Sequence, residues 1–215
     1  MKKRIIAAML VVTTFWGTAI SAFANGADTP LQEQAATAFT LGEVKDNAYE
    51  NTFFNVRFPI LNNMAFDSSD QVDRLNGQLA QYASTDTGKQ LIADGKTVIV
   101  ASASNRESTL LNVSINNVGK KFISQYDEQS LLAGDTNAIA SEFEKIGYTA
   151  VNIVVDTVNF LGEDHPSLLI TGKIKGNPFY ERQVCLVKDD YIAVFTVSGR
   201  NDNAFSLINQ ATKIN

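Results

Sequence analysis

The sequence predicts an α+β domain, an antiparallel sheet of about six or seven strands packed by helices. Three observations carry this reading. Between Ala150 and Val197 four apolar runs follow one another with only short turn-forming clusters between them. Links that short give antiparallel pairing, because parallel pairing needs a crossover of about a dozen residues or more. Two further runs, Thr97–Ala103 and Thr109–Ile115, flank the polar Asn105-Arg106-Glu107-Ser108 as in a hairpin. Three segments, opening near Ser68, Thr136 and Asp202, carry apolar residues at helical spacing.

Taken in order, Leu41-Gly42-Glu43-Val44 opens the folded region and Asp46-Asn47 marks a turn. Phe54, Val56 and Phe58 alternate with Asn55 and Arg57, the two-residue period of a half-buried strand, and Pro59 closes it. Ser68 and Gln71 have capping-box spacing, and Val72, Leu75, Leu79 and Tyr82 share one helical face. Thr87–Gly95 is ambiguous, with a short helix ending at Gly95 as one reading. The second helix runs from about Thr136 to Ile146, capped by Asp135 or Thr136. Ile139, Phe143 and Ile146 form its buried stripe, and Gly147 stops it. Strands then cover Ala150–Phe160, Leu168–Ile174, Phe179–Val187 and Tyr191–Val197. Gly162–Pro166, Gly176-Asn177-Pro178 and Lys188-Asp189-Asp190 serve as the turns between them. A last helix from Asp202 turns Phe205, Ile208 and Ala211 toward the sheet.

The N-terminus has the order of an export signal. Lys2, Lys3 and Arg4 precede the apolar run Ile5–Trp16, and Ala22-Phe23-Ala24 supplies the small residues a signal peptidase accepts before Asn25. Residues 1–24 are thus expected to be a cleaved signal peptide, 25–40 a flexible leader, and 41–215 a single domain. The clean apolar run is shorter than the roughly 20 residues of a spanning helix. No Cys follows it to carry a lipid anchor. The expected form is secreted or envelope-associated, with no membrane span once the signal is removed.

Cleavage after Ala24 takes 24 of the 215 residues and leaves 191, enough for one ordinary domain. The signal carries three of the 18 Lys and Arg and none of the 23 acids, so the mature charge is −8. Nucleic acid, whose phosphates need a basic face, is disfavoured. Cys185 is the sole cysteine. It sits in the apolar Val184–Val187 and reads as a buried structural thiol rather than a nucleophile.

His165 is the only histidine, which restricts triad and acid–base schemes. Glu163, Asp164 and His165 read as a solvated turn rather than a metal site, and Asp189-Asp190 as a tight turn. Asp94-Gly95-Lys96-Thr97 resembles the tail of a phosphate loop but has Gln90 where glycine is required. Phe53, Phe179, Tyr180 and Tyr191 stand at strand entrances or beside turns, where core packing is the commoner role and ligand contact the rarer one. No catalytic, cofactor or metal residue is assigned.

Gly42-Glu43-Val44, Tyr49-Glu50-Asn51 and Phe53–Pro59, together with Tyr180-Glu181-Arg182-Gln183 and Lys188–Val194, resemble the PsbP/Mog1-like domains. That group includes many secreted proteins of Gram-positive bacteria. The resemblance covers most of the mature chain and rests on strand-and-turn patterns. An aromatic usual shortly after the opening proline is replaced by Asn62-Asn63-Met64-Ala65-Phe66. The resemblance implies a fold more than a task, since better-known members bind partners: photosystem II in one case, a small nuclear GTPase in another. The expectation is a secreted, non-catalytic binding or accessory protein, its ligand an unknown protein, glycan or ion at the cell surface. The alternatives are an extracellular hydrolase whose carboxylates meet only in the fold, and a divalent-cation binder.

Overall fold

A computed structural model describes residues 38–214 except 62, 80–85, 106–108, 125 and 135. The expected signal segment with Ala22, Ala24 and Asn25, the expected leader through residue 37, Tyr82, Arg106–Ser108 and the expected cap at Asp135 lie outside the described residues.

Left-handed turn residues fold the chain into its ladders. Asp46-Asn47, Leu161-Gly162 and Lys175-Gly176 each place two consecutive residues at positive φ (47° and 55°, 56° and 80°, 50° and 78°). Two such residues twist with the flanking strands, which is the tight hairpin geometry. Strands β1 (Glu43–Lys45), β2 (Ala48–Asn51) and β3 (Val56–Pro59) form a three-stranded antiparallel sheet. A short β4 (Ala65–Phe66) leads to helices α1 (Ser69–Leu79) and α2 (Asp86–Ala93) and the hairpin β5 (Thr97–Ser104) and β6 (Leu110–Asn117). Helices α3 (Lys120–Ile123), α4 (Glu128–Leu132) and α5 (Thr136–Lys145) follow. Then come β7 (Tyr148–Phe160), β8 (Glu163–Ile174), β9 (Asn177–Lys188), β10 (Tyr191–Gly199) and a 3-10 helix, Asp202–Gln210.

The large sheet has seven strands in the order β4-β5-β6-β10-β9-β8-β7, every pair antiparallel. The α+β class read from the sequence is therefore the observed one. Sequence reading did not separate the three-stranded sheet from the large one. Strand β10 lies between β9 and β6 and is buried from Ile192 to Gly199.

Each face of the large sheet carries a core. On one face the small sheet and the 3-10 helix bring Phe58, Phe160, Phe195, Leu207 and Ile208 together. On the other, α4 and α5 bury Leu131, Leu132, Ile139 and Phe143 against Leu168, Ile170 and Ile192. Burying one such side chain is worth about 1.5–3 kcal/mol.

Several local readings change. Leu161 and Gly162 alone make the β7–β8 turn, so Glu163, Asp164, His165 and Pro166 belong to β8 and pair with β7. The same holds for Asn177 and Pro178, which lie in β9 beyond the Lys175-Gly176 turn. Ile146 is 39% exposed, because α5 ends at Lys145 before Gly147 turns the chain at φ 94°. The last helix is 3-10, with three residues per turn rather than 3.6. It buries Ala204, Leu207 and Ile208 and leaves Phe205 half-exposed.

Helix α1 lies along β5, next to the two-residue edge strand β4, with Leu79 buried. Its Asn76 acts as a substitute strand: the amide Nδ2 donates to Ile99 O at 2.9 Å, and Ile99 N donates to Oδ1 at 2.7 Å. These bonds adjoin the irregularity in the β5–β6 register between Ile99 and Ala101. Asn76→Ala leaves both Ile99 groups without their partner, an expected loss of about 1–3 kcal/mol. Hydrogen exchange should show the Ile99 amide losing protection, and unchanged protection would refute this role.

Candidate functional site

The segment before β1 is fixed from beneath. Tyr49, 1% exposed, donates its hydroxyl to Leu41 O at 2.7 Å. The Asn51 amide donates to Thr40 O at 3.0 Å and to the Tyr49 hydroxyl oxygen at 2.9 Å. Burial holds the Tyr49 phenol far above its usual range, so it stays a donor. Gly42 sits at φ 79°, where a Cβ would lie 2.6 Å from Glu50 O. Only glycine fits that close approach. Upstream, Phe39 stacks on Tyr191 at 3.8 Å between ring centroids.

This fixed segment forms one lip of a groove of about 530 Å³. Leu41, Gly42, Glu43 and Val44 make the lip, Ser69, Val72, Asp73 and Asn76 of α1 the opposite wall, and Val98–Ala101 of β5 the floor. Asp67 closes one end and accepts a hydrogen bond from Ser102 Oγ at 2.8 Å. On the other flank of α1 a smaller cleft of about 220 Å³ is lined by Gln71, Arg74, Gln78, Ser102 and Ser104, again with Asp67.

Beside the smaller cleft, polar residues run across the helix-bearing face of the sheet. Ser102, Asn112, Thr196 and Gln183 are in direct register, as are Ser198 and Glu181. All six are buried. Glu181 Oε2, Gln183 Oε1 and both amide atoms of Asn112 have no hydrogen-bond partner among the described residues. Gln183 Nε2 donates to Glu181 Oε1 at 2.7 Å. Burial of Glu181 pushes its carboxyl up to about 8, only partly offset by that bond. At neutral pH Glu181 is mostly a protonated, uncharged acid.

The residues singled out from sequence do not converge. His165 lies in β8, with Nδ1 2.9 Å from Glu128 Oε2 and its ring edge-on to Phe160. Glu163 pairs with Lys213 near the C-terminus, which lowers its pKa. Asp189 takes the left-handed turn position at φ 51°, and Asp190 O accepts from Val118 N at 2.9 Å. Cys185 is buried, and loss of hydration pushes its thiol well above the usual range. It faces the α4–α5 core, in line with a structural thiol. Phe53 and Phe179 are buried, at 2% and 8% exposure. Tyr191 packs on Phe53 and Phe39, and Tyr180 on Phe205. Core packing accounts for Phe53, Phe179 and Tyr191, whereas Tyr180 and Phe205 are half-buried and lie outside both cores. Among the described residues no group of three or more His, Cys, Asp or Glu could hold a metal ion.

Sequence reasoning missed Asp67, Asp73, Asn76 and Glu181. Asp73 and Asn76 sit three apart on a helix beside the apolar Val72, which is a signal for a shared face and nothing more. Glu181 alternates with Phe179, Gln183 and Cys185, so strand period alone could have flagged a carboxylate on a core face.

Among the described residues no helix is long and apolar enough to cross a membrane. No family model and no curated protein matches the chain. Among solved structures the chain is similar to LpqN, described as involved in cell envelope biogenesis of Mycobacterium tuberculosis, with a TM-score of 0.40 and 8% identity over 73% of this chain and 82% of that one.

Proposed function

We propose that this chain is a secreted, non-catalytic binding or accessory protein of the cell envelope or extracellular space, and that it binds through the groove between β1, α1 and β5. The observation that supports this is the groove itself: a concave, largely apolar surface whose lip is held by the buried Tyr49–Asn51 clamp. Pre-formed concavities with a few fixed polar groups are the usual form of a binding site. Export rests on the Lys2–Asn25 segment. The PsbP/Mog1-like assignment belongs to the same proposal. Two of the motifs behind it, Gly42-Glu43-Val44 and Tyr49-Glu50-Asn51, build the groove lip.

A photo-crosslinking side chain placed at Val44 should yield adducts in envelope or secreted fractions, and the same group at the exposed Lys145 of α5 should not. Intact mass of the secreted form should begin at Asn25. Absence of adducts at Val44 in a folded protein would remove the groove reading. Release of sugar from a cell-wall glycan, abolished by Asp67→Asn, would replace it with the hydrolase alternative.

A further inference from the structure

Among the described residues every charged group lining the large groove is acidic: Glu43 on the lip, Asp67 at the end and Asp73 on α1. Lys45 and Arg74 adjoin lining residues in sequence without lining the groove; Arg74 lines the smaller cleft instead, and Lys96, two residues before Val98, is paired with Asp94. Between these acids the surface is aliphatic. Leu41 and Val44 are 46% and 47% exposed, and Val98 and Val100 supply the floor.

Both sheets also end here. Among the described residues strand β1 is the edge of the small sheet, with no strand partner on its outer side. Strand β4 pairs only with Ala103 and Ser104 of β5, and Asn76 occupies Ile99, so among the described residues the Thr97 end of β5 has no strand partner on the side away from β6. Unpaired edges present main-chain donors and acceptors to another extended chain.

Resting on the groove reading above, we propose that the ligand is an extended peptide segment of a partner protein in which Lys or Arg alternates with apolar residues. An extended chain shows successive side chains to opposite sides. One set then lies against Val44, Val98 and Val100 while the other meets Glu43, Asp67 and Asp73. Complementary charge of this kind fixes register and favours encounter. An acidic peptide would meet like charge along the whole rim.

The test uses the secreted protein and three fluorescein-labelled peptides: (Lys-Val)4, (Glu-Val)4 and (Lys-Ser)4, followed by fluorescence polarisation. Saturable binding of (Lys-Val)4 is expected, with (Lys-Ser)4 weaker and (Glu-Val)4 silent. The double variant Asp67→Asn with Asp73→Asn should weaken (Lys-Val)4 roughly tenfold, as loss of close charge pairs does. A charge-matched control on α5, Glu142→Gln with Glu144→Gln, should leave it within about twofold, because charges beyond a Debye length are screened. Thermal unfolding confirms that both variants are folded. Equal weakening by the two variants would show attraction to the acidic protein as a whole and overturn the proposal. So would equal binding of (Glu-Val)4, or no saturable binding. If (Lys-Val)4 fails while Val44 still yields adducts, the ligand class is wrong and the groove reading stands. If both fail, the groove itself is not the site.

Discussion

Glu181→Gln is expected to hold its stability between pH 5 and pH 8 while the wild-type protein loses stability over the same range. Glu181 is fully buried on the helix-bearing face of the sheet, and burial raises its carboxyl from 4.5 to about 8. In the unfolded chain the group ionises near its ordinary value. Between those two values the folded state carries a proton that the unfolded state has released. The state that binds more protons is favoured as pH falls, so folding weakens as pH rises through this window. One proton corresponds to about 1.4 kcal/mol per pH unit, so the loss between pH 5 and pH 8 approaches about 4 kcal/mol. Glutamine keeps the size of the protonated acid and an oxygen that accepts from Gln183 Nε2, but it cannot ionise. The variant should match wild type near pH 5 and exceed it by several kcal/mol at pH 8. Urea unfolding midpoints at four pH values measure this directly. Parallel curves for the two proteins would mean that Glu181 is hydrated or paired in solution.

That carboxylate also marks where sequence reading stops. Strand period and turn residues sufficed for the existence and order of β7 to β10, because each ladder joins neighbours in sequence. The split into two sheets was not legible. Strands β1 to β3 pair with their sequence neighbours, but their standing apart as a separate layer goes with packing of Phe58 on Phe195, a contact between residues far apart in sequence. Turn composition misled at His165: Gly162 to Pro166 is all turn-prone, yet the left-handed pair Leu161-Gly162 completes the hairpin and frees the rest for strand. The groove was less legible still. Its walls come from β1, α1 and β5, and its acids are ordinary surface residues in any local window. Only Gly42 and the Tyr49–Asn51 pair stood out beforehand, as pattern marks, and the structure gives them a physical role in clamping the lip.

Phe195→Ala is expected to cost about 3–5 kcal/mol, the range for removing a large aromatic from a packed core. Phe195 lies on the central strand β10 and is fully buried. Its ring stacks on Phe58 of β3 at 5.6 Å, packs at 5.2 Å from Phe160 at the end of β7, and lies 6.4 Å from Tyr49 of β2. One side chain thus joins the small sheet to two strands of the large one. Truncation removes the ring's own burial and leaves a cavity that three aromatic neighbours, each fixed by its strand, cannot fill. A domain of ordinary stability has about 5–15 kcal/mol in total, so this is a large share of it. Phe143→Ala in the α4–α5 core should cost a similar amount by the same mechanism. The two differ in their consequence for the groove. Loss of Phe195 loosens the sheet that carries Tyr49, and with it the bond from Tyr49 to Leu41 that fixes the lip; loss of Phe143 does not touch that sheet. Denaturant unfolding measures the cost, and crosslinking from Val44 under conditions where both variants remain folded measures the consequence. Adduct yield should fall for Phe195→Ala and persist for Phe143→Ala. Equal yields would show that the lip is held independently of the small sheet's packing.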